Sequence, residues 1–203
     1  MKFLTFADLH DDKGSIAALV QRAKQDDIDF LVCAGDISEL GRGLTTTLKK
    51  FKKVGKKMYL VPGQPPHETN DMLEQVLPAF PFCINLHENA VEVGDYIFLG
   101  YGEGGFELTN AEFRKVARKW YGKYKDKKIV LVVHQPPHNT KLDYLDFVPE
   151  KHVGNKDYRK FIERVNPKLV ICGHIHETVG LTDKIGKTKV INPGWEGMVV
   201  ELV

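Results

Sequence analysis

Four short apolar runs in this 203-residue chain each end on an aspartate or a histidine. Continuous runs of this length are typical of strands buried on both faces of a parallel sheet. The runs are residues 3–7 before Asp8, 31–34 before Gly35-Asp36, 129–133 before His134, and 169–172 before Gly173-His174. Because parallel strands place ligands outside their carboxyl ends, we expect the four endings to lie side by side at one edge of the core.

Aspartate and histidine at these endings predict a metal site, because carboxylate and imidazole are ligands for Zn, Mn or Fe. Strand alternation is expected to aim Asp8 with His10, and His174 with His176, in one direction. A glycine before Asp36 or His174 leaves room for the chain to turn. Two metals about 3.5–4 Å apart need a bridging carboxylate, and Asp36 is the natural bridge.

Length and composition predict a single domain over residues 1–203 with one substantial core. With 42% hydrophobic and 28% charged residues, the composition is that of a globular protein. Three cysteines without a Cys-x-x-Cys spacing argue against a disulfide framework or a cysteine zinc site. No apolar stretch has the length of a membrane span, so we expect a cytoplasmic protein with no membrane partner.

The order of predicted elements indicates an α/β fold. Strands and helices alternate as β-α-β-α-β over the first 61 residues, which predicts a parallel sheet with right-handed crossovers. Further strands and helices follow, so we expect two mixed sheets packed together with helices outside. Ser15 is predicted to cap the first helix, and Thr109 to Glu112 to form a capping box. A short strand is expected near Thr178.

The order and spacing of these motifs resemble the calcineurin-like metallophosphoesterases, especially their small prokaryotic phosphodiesterase-like members. The resemblance implies a four-layer α/β/β/α sandwich, the metallo-dependent phosphatase fold. It also implies two sets of metal ligands that share Asp36. The first set is Asp8, His10, Asp36 and His176, and the second is Asp36, His134 and His174.

One motif departs from the family pattern. The family has Gly-Asn-His-Asp/Glu after the third strand, where Asn ligates the second metal and His binds substrate and protonates the leaving group. This chain has Gly63-Gln64-Pro65-Pro66-His67-Glu68. Gln64 could offer its amide oxygen instead of Asn. His67 could be the displaced acid, or Pro65 could occupy the histidine position.

The resemblance implies metal-dependent phosphoester hydrolysis by a hydroxide that bridges two divalent ions (Mn, Fe or Zn). His67 or His138 would protonate the leaving group. His138 and Asn139 follow the ligand His134 closely and are candidates for substrate contact. Asp36 is not followed by the Asp-Arg-Gly of the protein phosphatases, which favours a phosphodiester or another small phosphoester as substrate. The alternative is a catalytically impaired binding or scaffold protein that retains the fold.

Partners other than a small substrate have less support in the sequence. Basic residues cluster at 49–57 and 114–128, where they are most simply the wet faces of amphipathic helices. A nucleic acid could use them, but no aromatic interleaving supports this. An exposed edge strand could pair two copies into a homo-oligomer.

Overall fold

The computed structural model describes all 203 residues and contains two mixed β-sheets. The first sheet has the strand order β11-β1-β2-β3-β4 and the second β5-β6-β7-β8-β10-β9. The strands are β1 (Lys2–Phe6), β2 (Phe30–Cys33), β3 (Met58–Leu60), β4 (Cys83–Asn85), β5 (Asn89–Val93), β6 (Tyr96–Tyr101), β7 (Lys128–Val133), β8 (Leu169–Ile171), β9 (Thr182–Ile185), β10 (Thr188–Ile191) and β11 (Met198–Glu201).

Parallel pairing dominates the centre of each sheet. Strands β1 to β4 are parallel to their neighbours, as are β6, β7, β8 and β10. Antiparallel strands lie at the margins, with β11 on β1, β5 on β6 and β9 on β10. The parallel β1-β2-β3 arrangement confirms the prediction from the first 61 residues. The Gly94-Asp95 turn joins β5 to β6 as a hairpin.

Helices cover the outer face of each sheet. The helices are α1 (Lys13–Ala23), α2 (Leu44–Lys52), α3 (Asn70–Val76), α4 (Ala111–Tyr124) and α5 (Lys156–Val165). Because side chains alternate along a strand, successive residues of β1 pack on opposite faces of the first sheet. Leu4 and Phe6 of β1 pack in the cluster shared with α1 and α2, whereas Phe3 faces the second sheet, where its ring lies 5.8 Å from that of Phe98. The layers are therefore α/β/β/α, as predicted.

Two predicted helix starts were wrong by a few residues. Asp12, not Ser15, caps α1, because its carboxylate accepts the backbone N–H of Ser15 at 2.7 Å. Asn110 caps α4 by accepting the N–H of Phe113 at 2.8 Å, so Thr109 is not the cap. In both cases the Asp or Asn residue that serves as the cap lies where the backbone is still extended.

The strand predicted near Thr178 was also wrong. Residues His176–Thr178 form a 3₁₀ turn instead, and the strand begins at Thr182. The buried Thr178 hydroxyl lies 3.0 Å from the carbonyl oxygen of Leu142 and 2.9 Å from that of Ile175, which holds the turn. None of the helices combines the length and apolar character needed to cross a membrane.

Candidate metal centre

The four predicted strand endings meet where the two sheets face each other. Asp8 and Asp36 follow β1 and β2 of the first sheet, and His134 and His174 follow β7 and β8 of the second. Backbone hydrogen bonds fix each pair, since Asp8 N donates to Gly35 O at 3.0 Å and Gly173 N to His134 O at 2.9 Å. The endings therefore share one edge, as expected, but two sheets contribute to it.

The backbone at these endings is turned and not extended. Asp8, His10, Asp36 and His174 have φ angles of 56°, 41°, 53° and 71°, in the left-handed region that L-residues rarely adopt. Strand alternation is therefore not what aims the paired ligands in one direction, and that part of the prediction was wrong. Such conformations persist where the surrounding structure over-determines them, as at functional sites.

Glycines permit the close approach of the ligand segments. At Gly173 an added Cβ would lie 2.6 Å from Ala7 Cβ and 2.6 Å from Asp8 Oδ2, which is closer than real contacts allow. Gly35 has a φ of +100°, and a Cβ there would lie 2.7 Å from His134 Nδ1. The glycine requirement before Asp36 and His174 is confirmed.

The Nε2 atoms of His10 and His134 approach the Asp8 and Asp36 carboxylates without hydrogen bonding to them. Asp36 Oδ2 lies 3.3 Å from His134 Nε2 and 3.7 Å from His10 Nε2, and Asp8 Oδ1 lies 3.9 Å from His176 Nε2. Three overlapping triads have one ligand atom from each residue within 4.8 Å of the others. The triads are Asp8, His10, His176; Asp8, Asp36, His134; and His10, Glu39, His67.

Three buried imidazole nitrogens in this cluster have no hydrogen-bond partner, namely Nε2 of His10, His134 and His174. A buried polar atom left without a partner is costly, so such atoms call for an explanation. The His134 and His174 rings pack against each other, with 5.2 Å between their centroids. His174 N also donates to both Asp8 oxygens at 3.0 Å. Nitrogen and carboxylate donors in this arrangement fit divalent Mn, Fe or Zn.

The charges of the cluster favour a cation at its centre. Burial lowers the pKa of His134, but the Asp36 and Asp8 carboxylates outweigh burial and raise that pKa to about 9. Burial, reinforced by His134, lowers the pKa of His174 to about 3. Burial would raise the pKa of Asp36, yet His134 and His10 hold it below its usual value. The carboxylates therefore attract positive charge, while His174 offers a neutral nitrogen.

Gln64 lies at the edge of this cluster. Its backbone N–H donates to Asp36 Oδ1 at 3.0 Å, and its side-chain amide lies beside Gly105. The residue therefore orients Asp36 through its backbone. Its assignment as a metal ligand stays a prediction.

His67 is brought next to the metal ligands. Its ring lies 5.5 Å from that of His10, and its Nδ1 lies 2.9 Å from Glu39 Oε1. Glu39 also contacts His10, with Oε2 3.1 Å from His10 Nδ1. The sequence reasoning did not identify Glu39 as a site residue. Its position three residues after Asp36, in Gly35-Asp36-Ile37-Ser38-Glu39, was the available signal.

Glu68 follows His67 but points into the protein. Its Oε2 accepts the backbone N–H groups of Ile37 at 3.1 Å and Ser38 at 3.3 Å. Burial, followed by the charge of Asp36, raises the pKa of Glu68 to about 8. The two adjacent residues therefore have different places, with His67 at the ligand cluster and Glu68 beneath the turn that carries Asp36.

His138 and Asn139 belong to a different cluster. The His138 ring lies 5.8 Å from that of His152, and Asn139 N donates to the buried carboxylate of Asp143 at 2.9 Å. No hydrogen bond, ion pair or ring contact joins either residue to the metal ligands. Their role in substrate binding stays a prediction.

Two further segments border the cluster. Asn192 holds the turn after His174, because its amide donates to the Ile175 carbonyl at 3.0 Å. The Trp195 ring lies 5.4 Å from that of His176. Phe106 lies against His174 with 4.5 Å between ring centroids, a contact that the sequence pattern did not indicate.

Comparison with known proteins assigns the family. A model of the calcineurin-like phosphoesterases matches residues 1–178 of this chain. The chain belongs to this family. The resemblance drawn from the motifs is confirmed, and family membership supports a metal-dependent phosphoester hydrolase.

Relatives of this calcineurin-like phosphoesterase occur in archaea and animals. An uncharacterised protein of Methanocaldococcus jannaschii is 32% identical over 202 residues, which cover 95% of this chain and 88% of that protein. The human metallophosphoesterase domain-containing protein 1 is 29% identical, and the alignment covers 81% of this chain and 59% of the human protein. A solved dimetal phosphatase from Danio rerio has the same fold, with a TM-score of 0.60, 11% identity and coverage of 95% and 86%.

Proposed function

We propose that this protein hydrolyses a phosphodiester or another small phosphoester with two divalent metal ions, Mn, Fe or Zn. The observation that carries the proposal is the convergence of the unpartnered imidazole nitrogens of His10 and His134 on the carboxylates of Asp8 and Asp36. The unpartnered Nε2 of His174 belongs to a ring 5.2 Å from that of His134. A scaffold that had lost the chemistry would have no use for several buried polar atoms left without partners.

The two metals would share Asp36 as a common ligand. Asp8, His10 and His176 would complete the first site, and His134, His174 and the Gln64 amide oxygen the second. When bound, the two ions would supply a nucleophile at neutral pH by lowering the pKa of water, and would neutralise charge on the phosphoryl oxygens.

The protein's own side chains would orient the ligands and move the proton. Glu39 contacts Nδ1 of His67, which leaves Nε2 free to give a proton to the departing oxygen. His174 N donates to Asp8 and Gln64 N donates to Asp36, so backbone groups hold both carboxylates in their orientations. Among the two histidines considered as acid, proximity to His10 favours His67 over His138.

A small substrate is favoured over a nucleic acid by the position of the basic residues. The basic residues at 49–57 lie on and after α2, and those at 114–128 lie on and after α4. Both helices cover the outer faces of the sheets. Phosphate contacts would need such residues at the strand-end edge, where the ligand cluster lies.

The test is hydrolysis of bis-p-nitrophenyl phosphate by chelator-treated protein, with and without added Mn²⁺. We expect turnover to return with the metal and to vanish in Asp36→Asn. The metal should also raise the melting temperature of the wild type but not of Asp36→Asn. Asp95→Asn, the same chemical change in the exposed β5-β6 turn, should behave as the wild type. A metal-dependent rise in melting temperature without turnover of this diester or of p-nitrophenyl phosphate would favour the scaffold alternative.

A further inference from the structure

Large apolar side chains that face solvent are concentrated near the metal centre. Of the seven exposed large hydrophobic residues, four line two adjoining cavities beside it, namely Phe106, Tyr144, Phe147 and Leu181. Scattered single exposures need no explanation, but a contiguous group marks a binding surface. This group of exposed side chains therefore indicates a surface that binds a ligand.

The cavity nearer the metal centre joins an apolar wall to the metal ligands. It has a volume of about 690 Å³, and its lining includes Phe106 and Phe147 as well as His174 and His176. Phe106 is 57% exposed and packs on His174, and Phe147 is 67% exposed. A phosphoester held at the metal ligands would place one of its substituents against these two rings.

The loop that carries Phe147 is anchored at its base. The fully buried carboxylate of Asp143 accepts the N–H groups of Asn139, Thr140 and Gly154 at 2.9, 2.7 and 3.0 Å, and pairs with His152 at 2.9 Å. A hydrogen bond of 2.8 Å from Leu145 N to Lys151 O closes the loop above this base. Because these hydrogen bonds hold the base of the loop, Phe147 at its tip can contact a ligand without the entropy cost of first ordering a mobile segment.

The charges around the cavity exclude an additional anionic group. Glu150 and Glu177 are its charged residues apart from the two histidines, and no lysine or arginine lines it. The adjoining cavity, of about 610 Å³, shares Phe147 and Glu177 and adds Asp146 and Asp183, with Lys141 as its one lysine. Within the cavity nearer the metal centre, a phosphate or carboxylate beyond the reacting phosphoester would face carboxylates without a lysine or arginine as partner.

We infer that the cavity binds one uncharged, apolar substituent of about the size of an aromatic ring, held between Phe106 and Phe147. The inference rests on the proposed function and deepens it by naming the substrate class. The substrates would be phosphoesters with an apolar group next to the phosphorus, and not nucleotides with further phosphates.

Phosphonates test this because they bind without being turned over. We would titrate phenylphosphonate, methylphosphonate and 4-carboxyphenylphosphonate into Mn²⁺-loaded protein in a calorimeter. The phenyl compound should bind about tenfold more tightly than the methyl compound, from burial of the ring. The carboxyphenyl compound, equal in ring size but with one more charge, should bind more weakly than the phenyl compound.

The variants assign the preference to the two rings. Phe106→Ala and Phe147→Ala should each reduce the phenyl-over-methyl preference by about threefold or more. Phe147→Leu should retain most of the preference. Val199→Ala removes exposed apolar surface from β11, away from the site, and should leave the preference intact. Melting curves verify that each variant is folded.

Two esters with the same leaving group provide a second measurement. Bis-p-nitrophenyl phosphate should be preferred over methyl p-nitrophenyl phosphate in kcat/KM, and the alanine variants should lose that preference. Turnover of both esters with no aryl preference, or with a preference unchanged in both alanine variants, overturns the inference and leaves the proposed function standing. No binding and no metal-dependent turnover would overturn the proposed function together with the inference.

Discussion

Oε1 of Glu39 lies 2.9 Å from Nδ1 of His67, and the second oxygen of the same carboxylate lies 3.1 Å from Nδ1 of His10. One side chain thus links a proposed metal ligand to the proposed acid. Asp11 supports this arrangement, because its carboxylate accepts the backbone N–H of Glu39 at 2.9 Å. This bond and the approach of the Thr47 hydroxyl, at 3.4 Å, turn the Asp11 side chain inward.

Glu39→Gln should slow the reaction most for substrates with a basic leaving group. The carboxylate orients His67, and protonation of the leaving oxygen matters more as that oxygen becomes more basic. We expect kcat for diphenyl phosphate to fall by about 10- to 100-fold, and kcat for bis-p-nitrophenyl phosphate to fall less. Steady-state kinetics with both diesters measures the difference.

The matched variant for this prediction is His67→Gln, which should lower the same two rates at least as strongly. Because both residues would act in one step, the double variant should be little worse than His67→Gln alone. The rise in melting temperature with Mn²⁺ should persist in Glu39→Gln. An equal loss on both diesters, together with loss of that rise, would mean that Glu39 supports the metal site and not the acid.

Gln64→Ala should weaken the binding of one metal ion and spare the other. If the amide oxygen is a ligand, its removal should reduce the affinity for the second metal by about tenfold or more. Gln64→Asn shortens the side chain by one methylene and should retain more of the affinity. Calorimetric titration with Mn²⁺ resolves the two steps. Gln75→Ala, on the exposed surface of α3, is the control, and identical titrations for Gln64→Ala and Gln75→Ala would remove Gln64 from the ligand set.

Gly173→Ala should destabilise the protein and disrupt the metal centre together. The new methyl group would collide with Ala7 Cβ and Asp8 Oδ2, each 2.6 Å away. We expect a loss of about 1–3 kcal/mol in the free energy of unfolding, and no rise in melting temperature with Mn²⁺. Gly122→Ala in α4 meets no atom within 4 Å and should stabilise the helix by about 0.5–1 kcal/mol. Chemical denaturation compares the two variants.

Glu68→Gln should stabilise the protein increasingly as the pH rises. The carboxyl has a pKa of about 8 in the folded protein, against 4.5 when unfolded, so the unfolded chain loses this proton first. The stability of the wild type should therefore fall between pH 4.5 and pH 8 through this group, by at most about 1.4 kcal/mol per pH unit. Glutamine has no proton to lose and can still accept the N–H groups of Ile37 and Ser38.

The measurement is urea denaturation of chelator-treated protein at several pH values. The difference in unfolding free energy between Glu68→Gln and the wild type should grow from pH 5 to pH 8. Glu92→Gln, an exposed change on β5, controls for the loss of one negative charge. A constant difference across this range would show that Glu68 has the same pKa in the folded protein as in the unfolded chain.

Local patterns in the sequence predicted most of the fold. The predicted apolar run 129–133 lies within β7 (Lys128–Val133), and the predicted β-α-β-α-β order of the first 61 residues is that of β1, α1, β2, α2 and β3. Helix starts were less accurate, because Asp12 and Ser15, or Thr109 and Asn110, are all acceptable caps. Which residue caps the helix depends on where the preceding loop leaves the sheet. Tertiary packing determines the path of that loop.

The candidate site was also predictable only in part. The histidine and aspartate ligands could be listed because each follows a recognisable apolar run. Glu39 was missed because its one signal, a position three residues after Asp36, does not separate it from a solvent-exposed glutamate. Phe106 and Phe147 were missed because both lie in loops, where neither helical nor strand periodicity applies.

The sequence by itself determined the layers of the sandwich and the order of the ligand residues along the chain. Apolar periodicity and strand-end residues are local properties, so they can be recognised without coordinates. The tertiary structure alone decided how the ligands face one another. His174 N reaches the Asp8 carboxylate across 166 residues of chain, and both residues lie in left-handed turns. Hydrogen bonds and packing between distant segments set these distances, and no local pattern encodes them.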